Sequence, residues 1–139
     1  MKQNDLFNNF PADKSKTDKI ILATIECIEK AGIDSLTIRM IADHANVNVA
    51  SINYYFGSKD ILLKTVFDYT MKHFFDDLKK CLNQMNRDLL KGLRNFLYYI
   101  FSGSIRYPGM TKAYFKDVFF DLKSENQFTS QFNHILSEI

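Results

Sequence analysis

Apolar residues recur at helical spacing along most of the chain. Ile21, Ile25 and Ile28 follow the i, i+4, i+7 pattern that predicts an amphipathic helix starting near Ser15. Gly32 then stands where a glycine is expected, just beyond the C-terminus of that helix. No segment shows the clean alternation of a half-buried strand. The pattern therefore predicts an all-α chain.

Two short helices joined by a tight turn are predicted next. Thr37 is a favourable N-cap. The apolar stripe behind it consists of Ile38, Ile41, Ala42 and Ala45. Asn46 stands in the turn, and asparagine is one of the few non-glycine residues that tolerate left-handed backbone. Asn48 can cap a third helix from Val49 to about Tyr55, so the segment is typical of a helix-turn-helix motif.

The third helix has a polar face of unusual composition. On a wheel of roughly 100° per residue, Ile52 and Phe56 point toward the core. The residues that face away or lie on the flanks are Ala50, Ser51, Asn53, Tyr54 and Tyr55. Small residues permit close approach, asparagine can bridge adenine N6 and N7, and tyrosine hydroxyls can donate to phosphate oxygens. This face therefore predicts contact with double-stranded DNA.

The remaining chain predicts further helices. A long fourth helix begins at Lys59, a fifth precedes the break at Pro108-Gly109, and two more helical patterns follow, the last over residues 128–139. Residues 1–14 lack periodicity and are expected to form a flexible arm. We expect a DNA-binding domain over residues 15–63, with its motif at about 37–56, and a second helical domain over residues 64–139.

The composition limits the possible functions of the chain but does not identify one. The net charge is only +2, and residues 1–60 hold seven basic against eight acidic side chains, so DNA binding must rest on local geometry. Cys27 and Cys81 lie far apart and fit neither a disulfide framework nor a metal site. Because the N-terminus is polar and no apolar run approaches ~18 residues, we expect a cytoplasmic protein without membrane contact. The expected DNA contact would make it nucleoid-associated.

No grouping of residues points to catalysis. The chain lacks a G-x-S-x-G turn, a phosphate-cradling glycine loop and a Cys/His pair. His44, His73 and His134 are too widely spaced for a metal site that the sequence would reveal. We therefore expect recognition rather than enzymatic turnover, with no metal and no cofactor.

The segment LTIRMIADHANVNVASINYYFGSKDILL resembles the signature of TetR-type transcriptional regulators. The resemblance covers about residues 17–63. It is carried by Thr37, Ile41, Ala42, Ala45, Val47, Ile52, Tyr55, Phe56, Lys59 and Leu62. The sequence departs from the signature at Asn46, where glycine is usual, at Asn48, where serine is usual, and at Asn53, where tyrosine is commonest.

The resemblance implies roles for individual residues. The base-facing positions are Arg39, Val49, Ala50, Ser51 and Asn53. The phosphate-facing positions are Thr37, Tyr54, Tyr55 and Lys59. Family members are homodimers whose helical C-terminal domain binds a small ligand, and the fourth helix transmits ligand entry to the DNA-binding domain. Members are longer than this chain, so we expect residues 64–139 to be an incomplete version of that domain.

The function expected from the resemblance is that of a repressor that binds a palindromic operator as a homodimer and is released by a small apolar or amphipathic effector. Aromatic residues at helical spacing, namely Tyr98, Phe101, Tyr114 and Phe119, are candidates for the effector pocket, although such residues more often form core. The alternative is an architectural or nucleoid-associated DNA-binding protein of the same fold without a small-molecule sensor.

Overall fold

The computed structural model describes residues 15–120 and residue 137, and the regular structure in this part of the chain is entirely helical. The helices are α1 (Lys16–Ala31), α2 (Ile38–Ala45), α3 (Val49–Phe56), α4 (Lys59–Met85), α5 (Leu89–Arg106) and α6 (Pro108–Phe120). The predicted all-α fold, with three N-terminal helices in helix-turn-helix order followed by a helical region, is confirmed. The expected arm at residues 1–14 and most of the last predicted helix lie outside the described residues.

The chain divides into two compact units, residues 1–73 and residues 74–139. In the first unit, α1 begins at a capping box: the Ser15 hydroxyl accepts from the Asp18 amide, and the Asp18 carboxylate accepts from the Ser15 amide, both at 3.2 Å. The helix ends at Gly32, whose φ of 77° suits a residue without a Cβ. Both ends of α1 are therefore specified by local sequence.

The core of the first unit is formed by apolar residues of all four of its helices. The large side chains buried most completely are Ile20, Ile25, Ile28, Leu36, Ile41, Ile52, Leu62 and Val66. Thr24 lies among them and is satisfied because its hydroxyl donates to the Ile20 carbonyl at 2.7 Å. Ile61 of α4, by contrast, is exposed. It lies next to Gly57, and Leu62 takes the inward position instead.

Two side-chain contacts connect α1 to α2. The Cys27 thiol donates to the Met40 carbonyl at 3.7 Å, and His44 pairs with Glu26. Burial raises the pKa of the Cys27 thiol, which keeps it protonated as a weak donor. These contacts hold the first helix of the motif against α1.

The turn between α2 and α3 depends on one left-handed residue. Asn46 has φ 53° and ψ 50°, and its amide donates to the Ala42 and Asp43 carbonyls. The Val47 amide also donates to the Ala42 carbonyl, at 3.0 Å. These three hydrogen bonds close the C-terminus of α2 and reverse the chain into α3.

Asn46→Ala should lower the free energy of unfolding by about 1–2 kcal/mol, because a Cβ without a polar group makes left-handed backbone costly. Asn46→Gly should cause no loss. Denaturant unfolding of both variants would measure the difference, with Asn53→Ala on the exposed face of α3 as the control. Equal stability of the alanine and glycine variants at position 46 would contradict this account.

In the second unit, α5 approaches the end of α4 very closely. A Cβ built on Gly92 would lie 2.5 Å from the Met85 backbone nitrogen, well inside van der Waals contact. The Asp88 carboxylate caps α5 by accepting a hydrogen bond from the Lys91 backbone amide at 3.0 Å. The Asn95 side-chain amide donates to Gln84 Oε1 at 2.7 Å. Gly92 is therefore required by the close approach of two backbones.

Gly92→Ala should destabilise the second unit by about 1–3 kcal/mol, the usual range for overpacking. Gly103→Ala, on the same helix with nothing within 4 Å of its Cβ, is the matched control and should be neutral or stabilising. Thermal unfolding of the two variants measures the contrast. A Gly92 variant as stable as the Gly103 variant would show that the close approach does not exist.

The described residues hold no helix that combines the length and apolar character needed to cross a membrane.

Candidate nucleic-acid interface

The N-terminus of α2 presents one capping and one basic residue. The Thr37 hydroxyl caps the helix by accepting a hydrogen bond from the Met40 backbone amide at 3.2 Å. Arg39 lies exposed in the first turn. The Ile41 amide donates to the Thr37 carbonyl at 3.2 Å, so the residue predicted to contact phosphate is fixed by two backbone amides of its own helix.

The N-terminus of α3 is capped by Asn48. Its Oδ1 accepts from the Ser51 amide at 2.6 Å and from the Ser51 hydroxyl at 2.7 Å. The cap predicted from sequence is confirmed, but the structure adds a contact that the sequence reading missed. Because the Ser51 hydroxyl already donates within the cap, it can meet a base only as an acceptor, from an adenine or cytosine amino group.

The outward face of α3 combines small and aromatic residues. Val49, Ala50 and Asn53 are exposed, while Ile52 and Phe56 are buried, as the helical wheel predicts. Tyr54 and Tyr55 are 83% and 43% exposed, with their rings in edge contact at 5.2 Å between centroids. The small residues lie near the N-terminus of the helix and the tyrosines near its C-terminus, so α3 can approach a surface closely at one end.

Lys59 lies at the first position of α4, and its ammonium donates to the Leu36 carbonyl. That carbonyl belongs to the peptide bond that leads into Thr37, so Thr37 and Lys59, two of the four residues predicted to contact phosphate, lie close together. A cation at a helix N-terminus is disfavoured by the helix dipole. The carbonyl oxygen offsets this cost, and two ammonium protons are left for a further acceptor.

The electrostatics of the motif favour an anion. Neither α2 nor α3 has an acidic residue in its first turn. The positive ends of both helix dipoles are therefore left without a neighbouring carboxylate of their own helix, which is the arrangement that accepts phosphate. Arg39 and Lys59 add charge at the N-termini of α2 and α4.

The described structure places the side chains of three of the four residues predicted for an effector pocket. Tyr98 and Phe101 are 61% and 64% exposed on α5, and Tyr114 is half-buried on α6. The side chain of Phe119 lies outside the described residues. The pocket therefore stays a prediction.

Tyr99, rather than Tyr98, is the tyrosine of α5 that turns inward. Its ring lies 6.2 Å from that of Phe74, and its hydroxyl donates to the Asp77 carboxylate. Burial, followed by the neighbouring charge of Asp77, raises the pKa of Tyr99 well above its usual range, so the hydroxyl stays a neutral donor. Because Tyr98 and Tyr99 are consecutive, the sequence alone does not indicate which of the two side chains points inward. The described residues include no cluster of three or more side chains suited to a metal ion.

Three packed helices, a left-handed turn and an exposed, capped third helix define a helix-turn-helix domain. Residues 20–66 match the family model for bacterial regulatory proteins of the tetR family. Over these residues, the resemblance found in the sequence is confirmed.

Curated relatives agree with this assignment. The chain is similar to the HTH-type transcriptional regulators BetI of Burkholderia thailandensis, Burkholderia cenocepacia and Burkholderia ambifaria, with 37% identity over 60 residues in each case. The match covers 43% of this chain, and the chain spans only 29% of the length of each relative. No solved structure matches the chain.

Proposed function

We propose that the protein is a sequence-specific DNA-binding transcriptional regulator. The observation that carries the proposal is the exposed face of α3, where small and hydrogen-bonding residues surround an N-terminus that is capped and free of acidic neighbours in its own first turn. The family of residues 20–66 supports the same function. We assign base contacts to Arg39 of α2 and to four residues of α3, namely Val49, Ala50, Ser51 and Asn53. We assign phosphate contacts to Thr37, Tyr54, Tyr55 and Lys59.

The finer proposal is a repressor that binds a palindromic operator as a homodimer and leaves it when a small effector binds. The 27-residue α4 supports this mechanism because it starts at the motif, at Lys59, and ends in the second unit, at Met85. A helix that begins at the DNA-binding motif can pass a displacement of its far end to the motif. Such a regulator acts in the cytoplasm, at the chromosome, by recognition rather than catalysis.

Selection of bound duplexes from a random pool, at near-physiological salt, tests the function as a whole. An enriched palindrome would support a dimeric, sequence-reading regulator, and its half-site spacing would report the separation of the two recognition helices. Binding without enrichment would favour the architectural alternative. Loss of the complex on adding apolar or amphipathic small molecules would support the effector mechanism.

Asn53→Ala should relax the selected sequence at one base position, at a cost of about 1–3 kcal/mol in discrimination, because an asparagine amide can bond adenine N6 and N7 together. Asn83→Ala on the exposed surface of α4 is the matched control and should leave the motif unchanged. An identical selected motif for wild type and Asn53→Ala would remove Asn53 from the base contacts.

Lys59→Ala should weaken binding to all duplexes alike and make the salt dependence of binding shallower by about one unit, because a phosphate contact releases one counterion. Lys64→Ala, at an exposed lysine one turn further along α4, should leave the slope unchanged. Titrations over a range of salt concentrations measure both slopes. A salt dependence equal to that of the wild type would show that Lys59 does not act at a phosphate.

A further inference from the structure

The first turn of α4 is joined to α3 by a very short connection. α3 ends at Phe56, and Gly57 and Ser58 are the two residues between the helices. Gly57 has φ 75°, and its amide closes α3 by donating to the Asn53 carbonyl at 2.9 Å. The Ser58 hydroxyl accepts from the Ile61 amide at 3.2 Å and caps α4. With two residues, both hydrogen-bonded to a helix, the start of α4 has little freedom to move independently of α3.

Lys59 connects the same turn of α4 to the other helix of the motif. Its ammonium donates to the carbonyl of Leu36, a residue 23 positions earlier whose side chain is buried in the core. Leu36 directly precedes Thr37, the N-cap of α2. We call this bond from Lys59 to Leu36 the Lys59 tether. Through it, the first turn of α4 holds the N-terminus of α2 as well as the C-terminus of α3.

The chemistry of the tether explains why a lysine stands at a position where the helix dipole disfavours a cation. A charged donor on a backbone carbonyl makes a stronger bond than a neutral pair. The side chain of Leu36 is only 2% exposed, which fixes the position of its backbone carbonyl. Lys59 therefore bonds to a rigid part of the motif rather than to a mobile loop. The bond also leaves two ammonium protons for the phosphate contact assigned above.

We propose that Lys59 is a positioning residue that makes α2, α3 and the first turn of α4 move as one body, so that a displacement of α4 changes the orientation of both motif helices together. The proposal rests on the proposed function for its regulatory meaning. The tether itself is a property of the free protein. Coupling between distant sites is carried by such chains of hydrogen bonds and rigid elements.

Amide hydrogen exchange in the free, full-length chain tests the tether without DNA. The reporters are the amides of Met40 and Ile41, which donate to Thr37. In Lys59→Met, which keeps most of the side-chain length but has no donor, these amides should exchange roughly three- to tenfold faster. Lys59→Arg retains donors and charge and should stay within twofold of wild type. Lys64→Met on the same helix is the matched control and should leave both amides unchanged.

A second arm measures coupling to DNA. In the wild-type chain, an enriched duplex should slow exchange of the Ile61 and Leu62 amides, which donate to Ser58, because the motif and the first turn of α4 are tied together. In Lys59→Met this slowing should fall by at least half. Loss of a phosphate contact alone would not change amide exchange in the protein without DNA. The comparison of free Lys59→Met with free wild type therefore separates the tether from the effect of Lys59 on the salt dependence of DNA binding.

The outcomes separate the tether from the proposed function. Exchange at Met40 and Ile41 in Lys59→Met within twofold of wild type would overturn the tether. Exchange in Lys59→Arg as fast as in Lys59→Met would also overturn it, because the donor would then not be the cause. If no duplex is enriched, the proposed function fails, and the free-protein comparison still decides the tether.

Discussion

The reversal of the chain at Asn46 is the constraint on which the DNA-binding unit depends. One left-handed residue allows the amides of Asn46 and Val47 to donate to the Ala42 carbonyl and closes α2. The next helix begins three residues later, under the Asn48 cap. Because the turn is so short, the direction of α3 follows from the backbone of a few residues. The buried Ile52 and Phe56 then fix its rotation, and the opposite face is left exposed.

The proposed function accounts for the two tyrosines that follow the small residues on this exposed face. A surface helix that only faced water would gain little from Tyr54, which is 83% exposed. On a helix that approaches DNA, small residues at the near end and tyrosines at the far end fit bases and phosphates respectively. With a net charge of only +2, affinity must come from positioned groups and helix N-termini rather than from bulk attraction.

Local features were predictable from the sequence, and contacts distant along the chain were not. Apolar spacing and the Thr37, Asn46 and Asn48 positions gave the helices, the turn and the caps, because each rests on residues within four positions of one another. The tether from Lys59 to Leu36 and the pair of His44 with Glu26 span 23 and 18 residues. They depend on how helices pack, which periodicity does not report. For the same reason, the sequence did not indicate which of Tyr98 and Tyr99 on α5 has the more buried side chain.

The most direct test of the account is to map which backbone amides of the full-length chain respond to a selected duplex, by NMR chemical-shift changes at near-physiological salt. The account predicts the largest changes at the N-terminus of α3, from Val49 to Asn53, and at Thr37 and Arg39. Changes on α5, which the account gives no role at the DNA surface, should be small. Strong changes elsewhere with none on α3 would contradict the claim that this helix reads DNA.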